Sequence, residues 1–142
     1  MANKKVVKIA EKLESQGTMS FCPGAKYKQV KSFELKNDLE LPTQLKQWFY
    51  HSDGGEFFLP VGFQLYGVAH KPFIDINEND RPDDSYIVIG TLPNGDPVLC
   101  QKTSDQISIY NHEAGKIEDD EIYKDFFSFL NDLKQILGIE EE

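Results

Sequence analysis

A chain of 142 residues has the length of one domain, and its make-up of 39% hydrophobic, 12% aromatic and 27% charged residues excludes disordered, collagen-like and low-complexity classes. The formal net charge of −9 is unevenly placed: nine Lys stand against five acids in residues 1–50, three basic residues against nine acids in 51–110, and three Lys against ten acids in 111–142. Such a field repels phosphate backbones, which argues against a nucleic-acid partner, and attracts basic proteins; it also keeps an ordinary cytoplasmic domain in solution.

In chain order, Val6, Ile9, Ala10 and Leu13 share one face at helical spacing, so the first predicted element is a helix over 3–16, read as an appended element. Asn3 is its expected cap, and Gly17 its expected left-handed exit. A weaker helix is predicted over 26–36, with Tyr27, Val30 and Phe33 on one side. Leu41-Pro42 opens a clearer one, in which Leu41, Leu45, Trp48 and Phe49 repeat and which ends at Asp53-Gly54-Gly55.

The pattern then becomes extended. Residues 56–60 and 63–68 read as two strands of a hairpin turning at Val61-Gly62, and 70–85 as a long polar, acidic loop or a loop with a short helix. Tyr86 to Gly90 reads as a central strand, and Asp96 to Gln101 as its return, with Asn94-Gly95 supplying a turn with two positive φ angles. Ile107 to Asn111 is a further strand, closed by Ala114-Gly115. Ile122, Phe126, Phe129, Leu130, Leu133, Ile136 and Leu137 keep helical spacing, which predicts a last helix capped by Asp119 or Asp120. Residues 139–142 form an acidic tail. The expected fold is α+β over 1–142: one domain with a mixed, mostly antiparallel sheet of about five to six strands against N-terminal helices and a C-terminal helix.

No chemistry-bearing motif emerges. His51, His70 and His112 lack the close second ligand that zinc sites use. Cys22 and Cys100, in a chain whose N-terminus lacks an export signal and which has no membrane-spanning run, read as reduced thiols of a cytoplasmic protein. Cys100 with His112 is a conceivable nucleophile pair, but a thiol inside a strand is usually buried and inert. The run Asp75 to Asp80 lacks the glycine and the distal glutamate of a calcium loop, and no phosphate-binding glycine loop is present. No catalytic residue, metal or cofactor is expected. The acids Asp75, Glu78, Asp80, Asp83 and Asp84, and Glu118, Asp119, Asp120 and Glu121, are the candidate partner-binding residues. The aromatic hairpin around Phe57, Phe58 and Phe63 is the apolar alternative.

Several segments, in order, resemble the SUKH superfamily. Leu41, Pro42, Leu45, Trp48 and Phe49 followed by Asp53-Gly54-Gly55 resemble its leucine-proline helix and Asn-Gly-Gly exit, with Asp53 where Asn is usual. Phe63 to Gly67 resembles the next strand, and Ile89-Gly90 with Asn94-Gly95-Asp96-Pro97 its hairpin. His112-Glu113 with Gly115, and Phe126, Phe129 and Leu130, resemble its closing strand and helix. The resemblance implies an α+β fold without catalytic residues. It also implies a protein partner: a toxin domain, often a nuclease, neutralised by a bacterial immunity protein, or, as in fungal members that regulate cell-wall glucan synthesis, a partner of a regulatory scaffold. An unrecognised hydrolase is the third reading. Oligomeric state is not legible.

Overall fold

The computed structural model describes residues 3–60, 62–76 and 81–139. Val61, Glu78 and Asp80 lie outside them, as does the tail beyond Ile139. Helix α1 spans Lys4–Gln16, α2 Tyr27–Asn37 and α3 Thr43–His51. Strands follow at β1 Gly55–Phe57, β2 Phe63–Leu65, β3 Tyr86–Thr91, β4 Pro97–Gln101, β5 Ile107–Asn111 and β6 Lys116–Tyr123, and then α4 Phe126–Asn131 and α5 Leu133–Ile136. The strands pair in chain order into one six-stranded sheet. Every pair is antiparallel, so the sheet is a simple meander rather than mixed.

The amphipathic pattern of α1 is real: Val6, Ile9, Ala10 and Leu13 are buried, and Asn3 Oδ1 accepts the Lys5 N–H at 2.9 Å. Gly17, however, leaves the helix extended at φ −177°, not left-handed. In α2 only Val30 and Glu34 are buried, and Tyr27 is exposed. Pro42 stands at the cap of α3 rather than inside its first turn, while Leu41, Leu45, Trp48 and Phe49 are fully enclosed.

The inward face of the sheet carries two cross-strand rows, Leu65–Gly90–Val98–Ile109 and Ile87–Cys100–Ile107–Tyr123. They pack against α1, α3 and α4 in one continuous core. Aromatic rings thread that core, from Phe21 and Trp48 through Phe57, Phe63 and Phe129 to Tyr123, at centroid spacings of 5.3–5.6 Å. Phe57, Phe58 and Phe63 are all buried in it, which removes the aromatic hairpin as a docking surface.

The main departure from the sequence reading is at the last helix. Residues 116–123 form an edge strand, and Ile122 pairs with Ser108 instead of opening a helix. Without β6 the outer edge of β5 would present unpaired N–H and C=O groups, so the strand wins over a helical spacing that Ile122 shares by coincidence. The cap is therefore neither Asp119 nor Asp120 but Asp125, whose Oδ1 accepts the Ser128 N–H at 2.8 Å.

The β3–β4 turn also differs. The Gly95 N–H donates to Leu92 O at 2.9 Å and the Leu92 N–H to Asp96 O at 3.0 Å, and Gly95 alone, at φ +90°, is left-handed. This is a three-residue connection with a glycine bulge, not a two-residue turn with two positive φ angles. Gly95→Val is expected to cost about 1–3 kcal/mol through backbone strain. Its added Cβ meets nothing nearer than His112 at 3.5 Å, so thermal unfolding would read conformation rather than a clash.

Candidate functional site

Two buried aspartates organise the motif residues. Asp53, which leaves α3 for β1, is 1% exposed. Its Oδ1 accepts the Val68 N–H, and its Oδ2 accepts the Ala69 and His70 N–H groups, each at 2.8 Å. His70 Nδ1 also meets Oδ2 at 2.8 Å. Ser52 Oγ and Trp48 Nε1 both donate to Gly54 O, fixing the turn that presents this carboxylate. Gly54 must be glycine for two reasons: φ is +95°, and a Cβ would lie 2.7 Å from Leu65 O. Gly55, at φ +133°, is left-handed too, and a Cβ on Gly67 would lie 2.6 Å from Asp53 O.

The second is Asp96, at the start of β4. It accepts the His112 N–H at 3.2 Å and meets His112 Nδ1 at 2.5 Å, joining the β3–β4 turn to the β5–β6 turn. Asn94 Oδ1 accepts the Asp96 N–H at 3.0 Å. A third carboxylate escapes the sequence reading. Glu34, 5% exposed in mid-helix, accepts the Leu41 N–H at 2.7 Å and faces Lys46 at 3.5 Å, which sets the approach to α3.

These arrangements position backbone. No group of three or more metal-ligating side chains occurs among the described residues. Cys100 and His112 do not meet as a nucleophile and base. His112 is held by Asp96, whereas the Cys100 thiol faces the Gln101 and Ser104 carbonyls and burial pushes its pKa far up. Both cysteines are free thiols.

The candidate acids fall into two sets on different parts of the sheet. Asp75 bridges Val88 beside β3 and has further interactions of its own. Asp83 accepts from the hydroxyl and the N–H of Ser85, which hold its carboxyl below the usual range. Asp84, 92% exposed, pairs with Arg81 at 3.0 Å. Asp83 and Asp84 thus serve the loop's own structure.

Glu118 to Glu121 behave differently. Ser108 pairs with Ile122 and Tyr110 with Ile117, so two steps along β5 face five along β6. Three residues are therefore extra, and the acidic run bulges out of the edge strand. Among the described residues only Lys116 offers any of the four an ion pair, with Glu118 at 3.9 Å. The two sets are separated by three strand spacings, roughly 14 Å, and form no common patch through bonds or ion pairs among the described residues.

A family model described as the SMI1/KNR4 family (SUKH-1) matches residues 24–132. The chain belongs to this family. Helix α1 lies outside the matched residues, yet its apolar face enters the same core as the SUKH-1 elements. No curated protein matches the chain. Among the described residues, no helix is long and apolar enough to cross a membrane.

Charge crowding at the SUKH-1 bulge has a measurable consequence. Burial, followed by the charges of Asp120, Asp96 and Glu118, raises the pKa of Glu121, and its Oε2 is enclosed without a hydrogen bond. A raised carboxyl pKa means that the folded state favours the neutral form. Glu121 therefore costs stability at neutral pH, and the cost fades as pH falls through the folded and then the unfolded pKa. Glu121→Gln is expected to be more stable than the wild type at pH 7 by up to about 1 kcal/mol after solvent screening. Urea unfolding at pH 7 and pH 4 should show this gap closing with acid.

Proposed function

We propose that this SUKH-1 domain is a non-enzymatic immunity protein that binds a basic toxin domain in the cytoplasm and blocks it. One observation carries the reading: a run of four acids bulges from an edge strand with Asp119 and Asp120 exposed at its middle, and the one ion pair it makes among the described residues is the long Lys116–Glu118 contact. A toxin that attacks nucleic acid needs a cationic cleft to hold phosphates, and an acidic ridge is the complementary surface. The bulge and its charges also discourage edge-to-edge strand pairing, so the partner is met by side chains rather than by an added strand. Asp83 and Asp84 of the middle loop are the secondary contact, because Ser85 and Arg81 already engage them.

Co-expression with the product of the adjacent gene tests this. A stoichiometric complex in which the partner's toxicity and enzymatic activity are lost is the expected result. Recovery of a cellular partner, with no toxin bound, would replace this reading by the regulatory scaffold of the fungal members.

A further inference from the structure

The basic third of the molecule carries a surface of opposite character. An open groove of about 610 Å³ runs between α2 and the segment 67–74. Its surface is mostly apolar, from Phe33, Val68, Phe73 and Ile74, with Gln29, Ser32 and Asn37 adding polar groups on the α2 side, and Phe73 keeps 48% of its surface exposed. Lys28 and Lys36 stand on its rim, both exposed. Neither makes an ion pair among the described residues, although the chain as a whole carries −9. The far wall is already built. The Gly67 N–H donates to Pro72 O at 2.9 Å, the Ile74 N–H to Gly67 O at 3.0 Å, and the Asp53 carboxylate holds the amides of 68–70. A ligand here would not have to order the loop, which lowers the cost of binding.

We propose that this groove is a docking site for a short acidic segment of a partner protein, bound in extended form with one large apolar side chain in the groove. Charge complementarity selects the occupant: two unpaired ammonium groups flank an apolar floor on an otherwise acidic protein. Their spacing sets the motif. Eight residues of helix separate Lys28 from Lys36, about 12 Å along the axis. An extended chain covers about 13 Å in four residues and turns residues i, i+2 and i+4 to the same side. The segment is thus an acid, any residue, a large apolar residue, any residue, and an acid. This site lies apart from the β6 ridge and takes ligands of the opposite charge, so it does not depend on the immunity reading.

The probe is an acetylated and amidated heptapeptide, Ser-Glu-Ser-Phe-Ser-Glu-Ser, titrated into the 15N-labelled full chain at low salt. Expected are saturable amide shifts confined to residues 28–37 and 67–74, with a Kd on the order of 0.1 mM, as suits a small transient contact. Replacing Phe by Ala in the peptide, or both Glu by Lys, should weaken binding at least tenfold. Lys28→Glu with Lys36→Glu, and separately Phe73→Ala, should do the same while the remaining spectrum stays folded. Repeated at about 0.15 M salt, Asp119→Lys with Asp120→Lys should leave the affinity within about twofold, since Gly67 follows β2, four strand spacings or roughly 19 Å from β6, and the Debye length is then about 8 Å. Absence of shifts at 2 mM peptide, equal binding of the Lys-containing peptide, shifts centred on β6, or affinity unchanged in both groove variants would each overturn the proposal.

Discussion

Asp53→Ala is expected to lower the stability of the domain by about 3–5 kcal/mol, the largest loss from any single polar truncation in the fold. The carboxylate accepts three successive backbone N–H groups, of Val68, Ala69 and His70, and faces the His70 ring. Removing it strands three donors together, at about 1–3 kcal/mol each where water cannot replace the acceptor. The Val68 site is buried and pays in full, while the partly exposed Ala69 and His70 amides recover some hydration. Asp53→Asn is expected to lie between. Its carbonyl can still serve Val68, but its amide nitrogen would face the Ala69 and His70 donors with nothing to accept from them. Urea unfolding of the three proteins checks the order. An Ala variant within a few tenths of a kcal/mol of the wild type would show that the segment 67–74 is held by its own turns instead.

Gly90→Ala is expected to cost about 3 kcal/mol, more than an exposed Gly-to-Ala change because the site has no room. Gly90 sits in the cross-strand row between Leu65 and Val98. A Cβ there would lie 2.3 Å from Gln64 O and 2.5 Å from the Phe63 ring. The ring could turn aside, but the carbonyl belongs to the paired strand β2 and cannot move without parting the sheet. Adding Phe63→Leu, which trims the ring, should therefore not restore stability. Full recovery in that double variant would place the constraint on the side chain and not on the close approach of the two strands.

Much of the fold was legible because local pattern and burial agree. Leu45, Trp48 and Phe49 repeat at helical spacing and are enclosed; Tyr86 to Gly90 reads as a central strand and is one. The strand β6 was not legible. Lys116 to Tyr123 has weak alternation, and Ile122 satisfies both a helical spacing with Phe126 and a cross-strand pairing with Ser108. Only the open edge of β5, a tertiary fact, decides between them. The acids of 118–121 were identified, but their setting as an edge bulge follows from that pairing. The aspartate–histidine contacts were hidden as well, since Asp53 and His70 are 17 residues apart and Asp96 and His112 are 16. Nothing local marks Glu34 for burial; it follows from the return of the chain through Leu41.

In the proposed function a basic partner is steered to the acidic bulge of β6. Stopped-flow association of this protein with the product of the adjacent gene tests it most directly. Raising salt from about 50 mM to about 0.5 M is expected to slow association at least tenfold and to change dissociation little, because long-range steering acts on encounter. Asp119→Lys with Asp120→Lys should slow association comparably, without unfolding the domain. Asp83→Lys with Asp84→Lys should do so less, as those acids are engaged by Ser85 and Arg81. An association rate indifferent both to salt and to reversal on β6 would contradict the account.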